Sequence, residues 1–149
     1  MKTRYSILLL TFSLSVFVII PLVTAQWPRD GLHSGWYENG RQSSEEHWKN
    51  GGLVSITIWK PDGNPCPVTK VVDGSGIVVS YHENGQQKSE VHYKDGKLDG
   101  RWLRWRSNGS RLEEGDYKKG KRHGWFNFFD EEDIWSDNQE YIEGKPQWF

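Results

Sequence analysis

The chain is expected to be all-β: an elongated, twisted, single-layer antiparallel sheet of tandem β-hairpin repeats behind an N-terminal signal segment. Three observations predict this. First, Gly76, Gly100 and Gly124 fall 24 residues apart, and the same step links Tyr81 to Trp105 and Phe129, and Tyr93 to Tyr117 and Tyr141. Several columns keeping one period mark an internal repeat, whose units bury their apolar sides only against their neighbours. Second, Asn84-Gly85 and Asn108-Gly109 stand between strand-like runs, and Asn-Gly is the strongest short-range hairpin signal because both residues tolerate positive φ. Third, no stretch after residue 25 holds a helical period, since glycines interrupt every window long enough for one.

The first 25 residues stand apart from the repeat. Lys2 and Arg4 form a short basic start, an apolar run extends from Ile7 to Val23, and small residues precede Gln26. This pattern predicts a signal peptide over residues 1–25, cleaved between Ala25 and Gln26. The expected location is therefore secreted or periplasmic, with no membrane association beyond the leader. An uncleaved anchor is the alternative reading of the same run. Removing 25 of the 149 residues leaves 124 and moves the net charge from −1 to −3. That balance suits neither nucleic acid nor an anionic membrane.

The repeat copies are expected near residues 31–53, 54–75, 76–99, 100–123 and 124–146. Copy one carries Gly31, Trp36, Gly40, Glu45, Trp48 and Gly51, which stand 45 residues before Gly76, Tyr81, Gly85, Glu90, Tyr93 and Gly96. A shortened copy two fits between, opened by Trp59 to Gly63. Its second half is spoiled because Pro65 and Pro67 cannot donate ladder hydrogen bonds. Copy three reads as strands Ile77–His82 and Gln86–Tyr93, and copy four as Arg101–Arg106 and Ser110–Tyr117. In copy five Asp130-Glu131-Glu132-Asp133 replaces the Asn-Gly turn. Register is ambiguous: a two-residue turn in copy four sets Trp105 opposite Leu112 but also Arg106 opposite Arg111, and a three-residue turn swaps the faces of one strand.

After residue 25 there are 17 Ile, Leu and Val against 18 Trp, Tyr and Phe. That inventory is expected to give a thin sheet held by stacked rings rather than an aliphatic interior. The lone Cys66 excludes an intrachain disulfide and a cysteine zinc cluster. It is expected to be buried, capped or joined to another chain, so dimerisation through Cys66 or through an edge strand is anticipated.

The pattern Gly100-Arg101-Trp102, Trp105, Asn108-Gly109, Glu114, Tyr117, Gly120 resembles the MORN-repeat variant. That variant occurs in bacterial proteins labelled YwqK-type antitoxins. The resemblance covers roughly Gly31 to Gly144 and implies β-hairpin repeats in an elongated sheet. It supplies no catalytic residues. An antitoxin acts in the cytoplasm, whereas the leader here directs export.

No arrangement in the sequence points to catalysis, a cofactor or a metal. Gly74-Ser75-Gly76 reads as a turn, and His33, His47, His82, His92 and His123 lack the spacing of a metal site. Glu45, Glu90 and Glu114 hold one column, suited to pairing with neighbouring Arg or Lys. Two aromatic rows remain. Trp36, Trp59, Tyr81, Trp105 and Phe129 form one, and Trp48, Tyr93, Tyr117 and Tyr141 the other. Either both rows are core, or one stays open and binds a protein or glycan. The first row is the candidate binding surface. The expected function is thus an exported, non-enzymatic β-repeat module with an unknown protein or glycan partner. The alternatives are an antitoxin-like inhibitor of a protein toxin and a structural cell-envelope protein.

Overall fold

The computed structural model describes residues 30–148, so the expected leader and its expected cleavage between Ala25 and Gln26 lie outside the described residues. Eleven strands follow one another: β1 Gly31–Trp36, β2 Gln42–Lys49, β3 Gly52–Ile58, β4 Lys70–Val72, β5 Ser75–Tyr81, β6 Gln87–Lys94, β7 Lys97–Trp105, β8 Arg111–Lys118, β9 Lys121–Phe129, β10 Trp135–Ile142 and β11 Lys145–Pro146. Each pairs antiparallel with its sequence neighbour, save β3 with β4, and the strands do not close into a barrel.

Two kinds of turn alternate. At one margin, two-residue turns join the strands at Asn50-Gly51, Asp73-Gly74, Asp95-Gly96, Lys119-Gly120 and Glu143-Gly144. Both residues of each have positive φ, the geometry whose twist matches the flanking strands. At the other margin, wider turns begin at Tyr37, Lys60, His82, Arg106 and Asp130. In each, that residue's N–H reaches the carbonyl four residues on, at 2.8–2.9 Å. The wide turn survives in all five copies, including the fifth, where Asp133 adopts φ 64° in the place that Gly109 holds in copy four.

The register ambiguity is resolved by a bulge. In copy four Arg104 faces Glu113, the register of the two-residue turn, but beyond a shift Trp105 faces Arg111. Leu112 is the extra residue. Both registers thus occur, one on each side of the bulge, and Arg106 never meets Arg111 squarely. The same shift recurs at Gly35/Trp36, Ser80/Tyr81 and Trp135/Asp137.

The expected single ladder is interrupted. The strands form a three-stranded sheet, β1-β2-β3, and an eight-stranded sheet, β11 to β4. The break falls in copy two. There the wide turn is closed by one bridge, Trp59↔Pro65, and by the Cys66 N–H to Ile58 C=O bond at 2.7 Å. Pro67, without an N–H, cannot carry the pairing further. The two-residue turns still connect the sheets. Gly96 N–H donates to Gly74 C=O, Gly74 N–H to Val54 C=O and Leu53 N–H to Gly96 C=O, each at 2.9 Å. Gly76 is obligatory beside them: its φ is +147°, and a Cβ there would lie 1.9 Å from the Lys70 carbonyl oxygen.

The core also differs from a pure stack of rings. Around the break, Leu53, Ile58, Cys66, Val71, Val78, Val79 and Val91 are buried together, with Trp48, Tyr81, Tyr93 and Trp102 packed against them. The missing strand rung lets the two sheets meet over aliphatic side chains. Farther along, rings take over in a continuous chain. Trp102–Tyr117, Tyr117–Phe126 and Phe126–Tyr141 have centroids 5.1, 5.6 and 5.4 Å apart, the tilted and edge-on contacts that aromatic quadrupoles favour.

Candidate ligand groove

Where the sheets part, they leave a groove of about 350 Å³. Alternation along a strand places Ser44, Glu46 and Trp48 on one face of β2, and all three line the groove. Ile56 and Ile58 of β3 extend this wall. Val78 and Ser80 of β5 and Tyr93 of β6 form the opposite one, with Trp36, Tyr37 and Tyr81 near the wide turns.

Glu46 is a carboxylate held in place within the groove. The Trp48 indole N–H donates to its Oε2 at 2.8 Å, and the Ser44 hydroxyl to Oε1 at 3.4 Å. The Trp48 and Tyr93 rings stand edge to face, 6.5 Å apart at 76°. Burial, then the Glu46 charge, pushes the Tyr93 phenol up to about 12. Burial likewise pushes Tyr81 up to about 12, reinforced by its bond with Cys66. The Tyr37 hydroxyl donates to the Trp59 carbonyl at 2.7 Å.

These shifts predict alkaline sensitivity. Both phenols ionise at higher pH in the folded state, so their contribution to stability is intact below pH 10 and is lost as pH rises toward about 12. The urea midpoint is expected to fall across that window, and less steeply in Tyr93→Phe, whose ring stays without the ionisable hydroxyl. Equal slopes in the two proteins would refute the assignment.

A second polar cluster lies on the long sheet. Glu113 is 8% exposed and accepts the Trp102 indole N–H at 2.9 Å. Arg104 and Arg122 flank it at 3.3 and 3.5 Å. Arg122 sits over Phe126 and Tyr141, 4.5 and 5.1 Å from their centroids, and donates to the Tyr141 hydroxyl at 3.0 Å. Burial works against the Arg122 charge, but the two tyrosine hydroxyls and Glu113 outweigh it and raise its pKa. With every charge answered internally, this cluster is a strut. Sequence reasoning singled out the neighbouring Glu114 column and missed Glu113, whose period mates are Ser89 and Asp137, so the acid is absent from copy three.

The candidate aromatic row does not form one surface. Trp36, 64% exposed, and Tyr81 line the groove. Trp59 is half-buried at the copy-two bridge, and Trp105 is half-buried with its carbonyl 2.9 Å from His82 Nε2. Phe129 is 7% exposed, covered by the Arg111 guanidinium 4.1 Å from its centroid. Trp48 and Tyr93, from the other row, are the ones brought to the groove. Cys66 is buried and bonded to Tyr81 at 3.3 Å, so a disulfide to another chain would require this segment to open. Among the described residues, no group of three or more His, Cys, Asp or Glu could hold a metal ion.

Residues 75–95, which form β5 and β6, match the family model of the MORN repeat variant. The third copy is a MORN-variant repeat. The MORN-variant hairpin supplies Val78, Ser80, Tyr81 and Tyr93 to the groove, so one wall of the site is a repeat unit and the other is the small sheet across the break. Copies four and five repeat Gly76, Tyr81, Tyr93 and Gly96 at a step of 24 residues, as Gly100, Trp105, Tyr117 and Gly120 and as Gly124, Phe129, Tyr141 and Gly144. No curated protein and no solved structure matches the chain significantly.

Proposed function

We propose that the protein is an exported, non-enzymatic binding module that takes a glycan chain into the groove between its sheets. The observation that carries this reading is the lining. Trp36, Tyr37, Trp48, Tyr81 and Tyr93 offer ring surface, while Ser43, Ser44, Ser80, Glu46 and Glu83 offer hydroxyls and carboxylates. Sugar rings present apolar C–H faces and polar edges together, which such a mixed concave surface matches. Glu46 accepts from Trp48, and Glu83 accepts the Glu38 N–H at 3.0 Å. Both carboxylates are held in place as acceptors and keep further acceptor sites for ligand hydroxyls.

Two measurements test this. A glycan array probed with the purified protein is expected to return a defined family of oligosaccharides, unchanged in length after incubation. Trp36→Ala, at the exposed rim, is expected to weaken the best of them roughly tenfold without changing the melting temperature. An array with no hits, or product formation, would overturn the reading. Export is supported by the leader composition and is checked by fusing residues 1–25 to a reporter active only outside the cytoplasm.

A further inference from the structure

We infer that the margin of the long sheet that carries its two-residue turns binds an acidic polysaccharide, whose anionic groups enter the hollow beside the Lys119-Gly120 turn. The choice of a polysaccharide among polyanions rests on the exported, glycan-binding reading above, but this margin shares no lining residue with the groove. The argument starts from register. Across two of these turns the ladder sets lysine against lysine, Lys94 opposite Lys97 and Lys118 opposite Lys121. Like charges directly opposite one another in a sheet are destabilising, and yet the repeat copies them. Lys97, Lys121 and Lys145 stand 24 residues apart, as do Lys94 and Lys118. All five are exposed. Alternation along the strands, carried across the Arg101↔Asp116 and Trp125↔Glu140 pairs, sets them on one face of the sheet. Among the described residues, none of them forms an ion pair. The contrast is with Glu113 on the same sheet, which Arg104 and Arg122 flank from within the chain.

Two hollows open along this row and share Lys119. The first, about 280 Å³, is lined by Lys94, Lys97 and Lys119 but also by Asp95 and Asp99, so its charge is nearly balanced. Asp99 is committed to the turn, where it accepts the Lys119 N–H at 3.0 Å. The second, about 350 Å³, gathers Lys118, Lys119, Lys121 and His123 around one carboxylate, that of Glu143. Arg122 lines it too, but its guanidinium is engaged by Glu113 and the Tyr141 hydroxyl. An anionic group entering the second hollow meets three ammonium groups, each with three N–H donors. The shape of the strip decides the kind of partner. Two residues in from the margin, the same face carries Asp99 and Asp116, so a flat anionic surface would press on carboxylates. A single chain laid along the margin meets mainly lysines. Trp125, 50% exposed on the same face of β9, offers a ring to the apolar side of a sugar.

The test uses protein purified from cells expressing the full chain, with calorimetry at low and at physiological ionic strength. The probes are polygalacturonate against neutral dextran, with an oligothymidylate and phosphatidylglycerol vesicles as competing polyanions. Polygalacturonate is expected to bind at least tenfold tighter than dextran, and less tightly as salt rises. Lys118→Gln combined with Lys121→Gln is expected to weaken it roughly tenfold. Lys118→Arg with Lys121→Arg, which keeps both charges, is expected to bind as the parent does. Arg41→Gln with Lys60→Gln removes the same charge from the opposite margin and is expected to change nothing. Equal binding of polygalacturonate and dextran, equal losses in the two glutamine double variants, or loss in the arginine variant would each overturn the inference. Tighter binding of the oligothymidylate or the vesicles than of polygalacturonate would overturn it as well. A neutral oligosaccharide held in a Trp36-dependent way while polygalacturonate fails would overturn it and leave the groove reading standing. Polygalacturonate bound through Lys118 and Lys121, with no oligosaccharide held in the groove, would do the reverse.

Discussion

Phe126→Ala is expected to destabilise the protein by about 3–5 kcal/mol, the usual cost of removing a fully buried ring. Phe126 is 0% exposed and is gripped from every side. Tyr117 and Tyr141 pack on it edge to face, Arg122 lies over it, and Gly115 sits against it, where an added Cβ would come within 2.6 Å of the ring. No neighbouring side chain can fill the void without breaking one of these contacts. In a repeat array, each unit leans mainly on the next. The loss should therefore appear first as faster hydrogen exchange in β8 to β10, with β1 to β3 still protected. A variant that loses less than about 1 kcal/mol by urea unfolding, or that loses protection evenly, would show that the ring chain does not hold this half together.

The second large effect is expected at Glu113. Removing one member of a fully buried ion pair costs about 3–5 kcal/mol. Here the side chains of Arg104 and Arg122 are 38% and 29% exposed, and solvent screening brings the expected cost of Glu113→Ala down to about 2 kcal/mol. Glu113→Gln keeps an acceptor for the Trp102 N–H and is expected to lose less. A cycle with Arg122→Met should show coupling, because both substitutions act on one network. Additive losses in urea unfolding would mean that the arginine and the carboxylate do not support each other.

Much of the fold was legible because the devices that build it are local. Asn84-Gly85, Asp95-Gly96 and Asn108-Gly109 announce their turns by residue type, and the period carries that reading to copies with weaker chemistry. Pro65 and Pro67 marked copy two as damaged. Their full effect, a sheet divided in two, depends on where β4 finds a partner, which is a long-range matter. The register needed the bulges at Ser43, Lys88, Leu112 and Ser136, and none of these residues has a type that betrays a bulge.

The candidate groove was legible only in part, for a related reason. Periodicity finds rows of equivalent residues, and a row is a site only where every copy has the same surroundings. Trp36 and Tyr81 face the break, whereas Phe129 has Arg111 laid across it. Glu46 belongs to a column whose later members are Val91 and Gly115, so no repeat-based reading could single it out. Glu113 escaped in the same way. Residues that depart from the period are invisible to an argument built on the period.

The division at copy two bears on how such a molecule can change. The groove is built from the first three copies, while everything after β6 hangs from one wall through hydrogen bonds that any further hairpin could continue. Whole 24-residue modules could therefore be gained or shed at the far end, setting reach and bulk, while the groove stayed as it is. The worn copy is the part that cannot be restored to regularity: mending its strand would zip the two sheets into one and erase the groove between them.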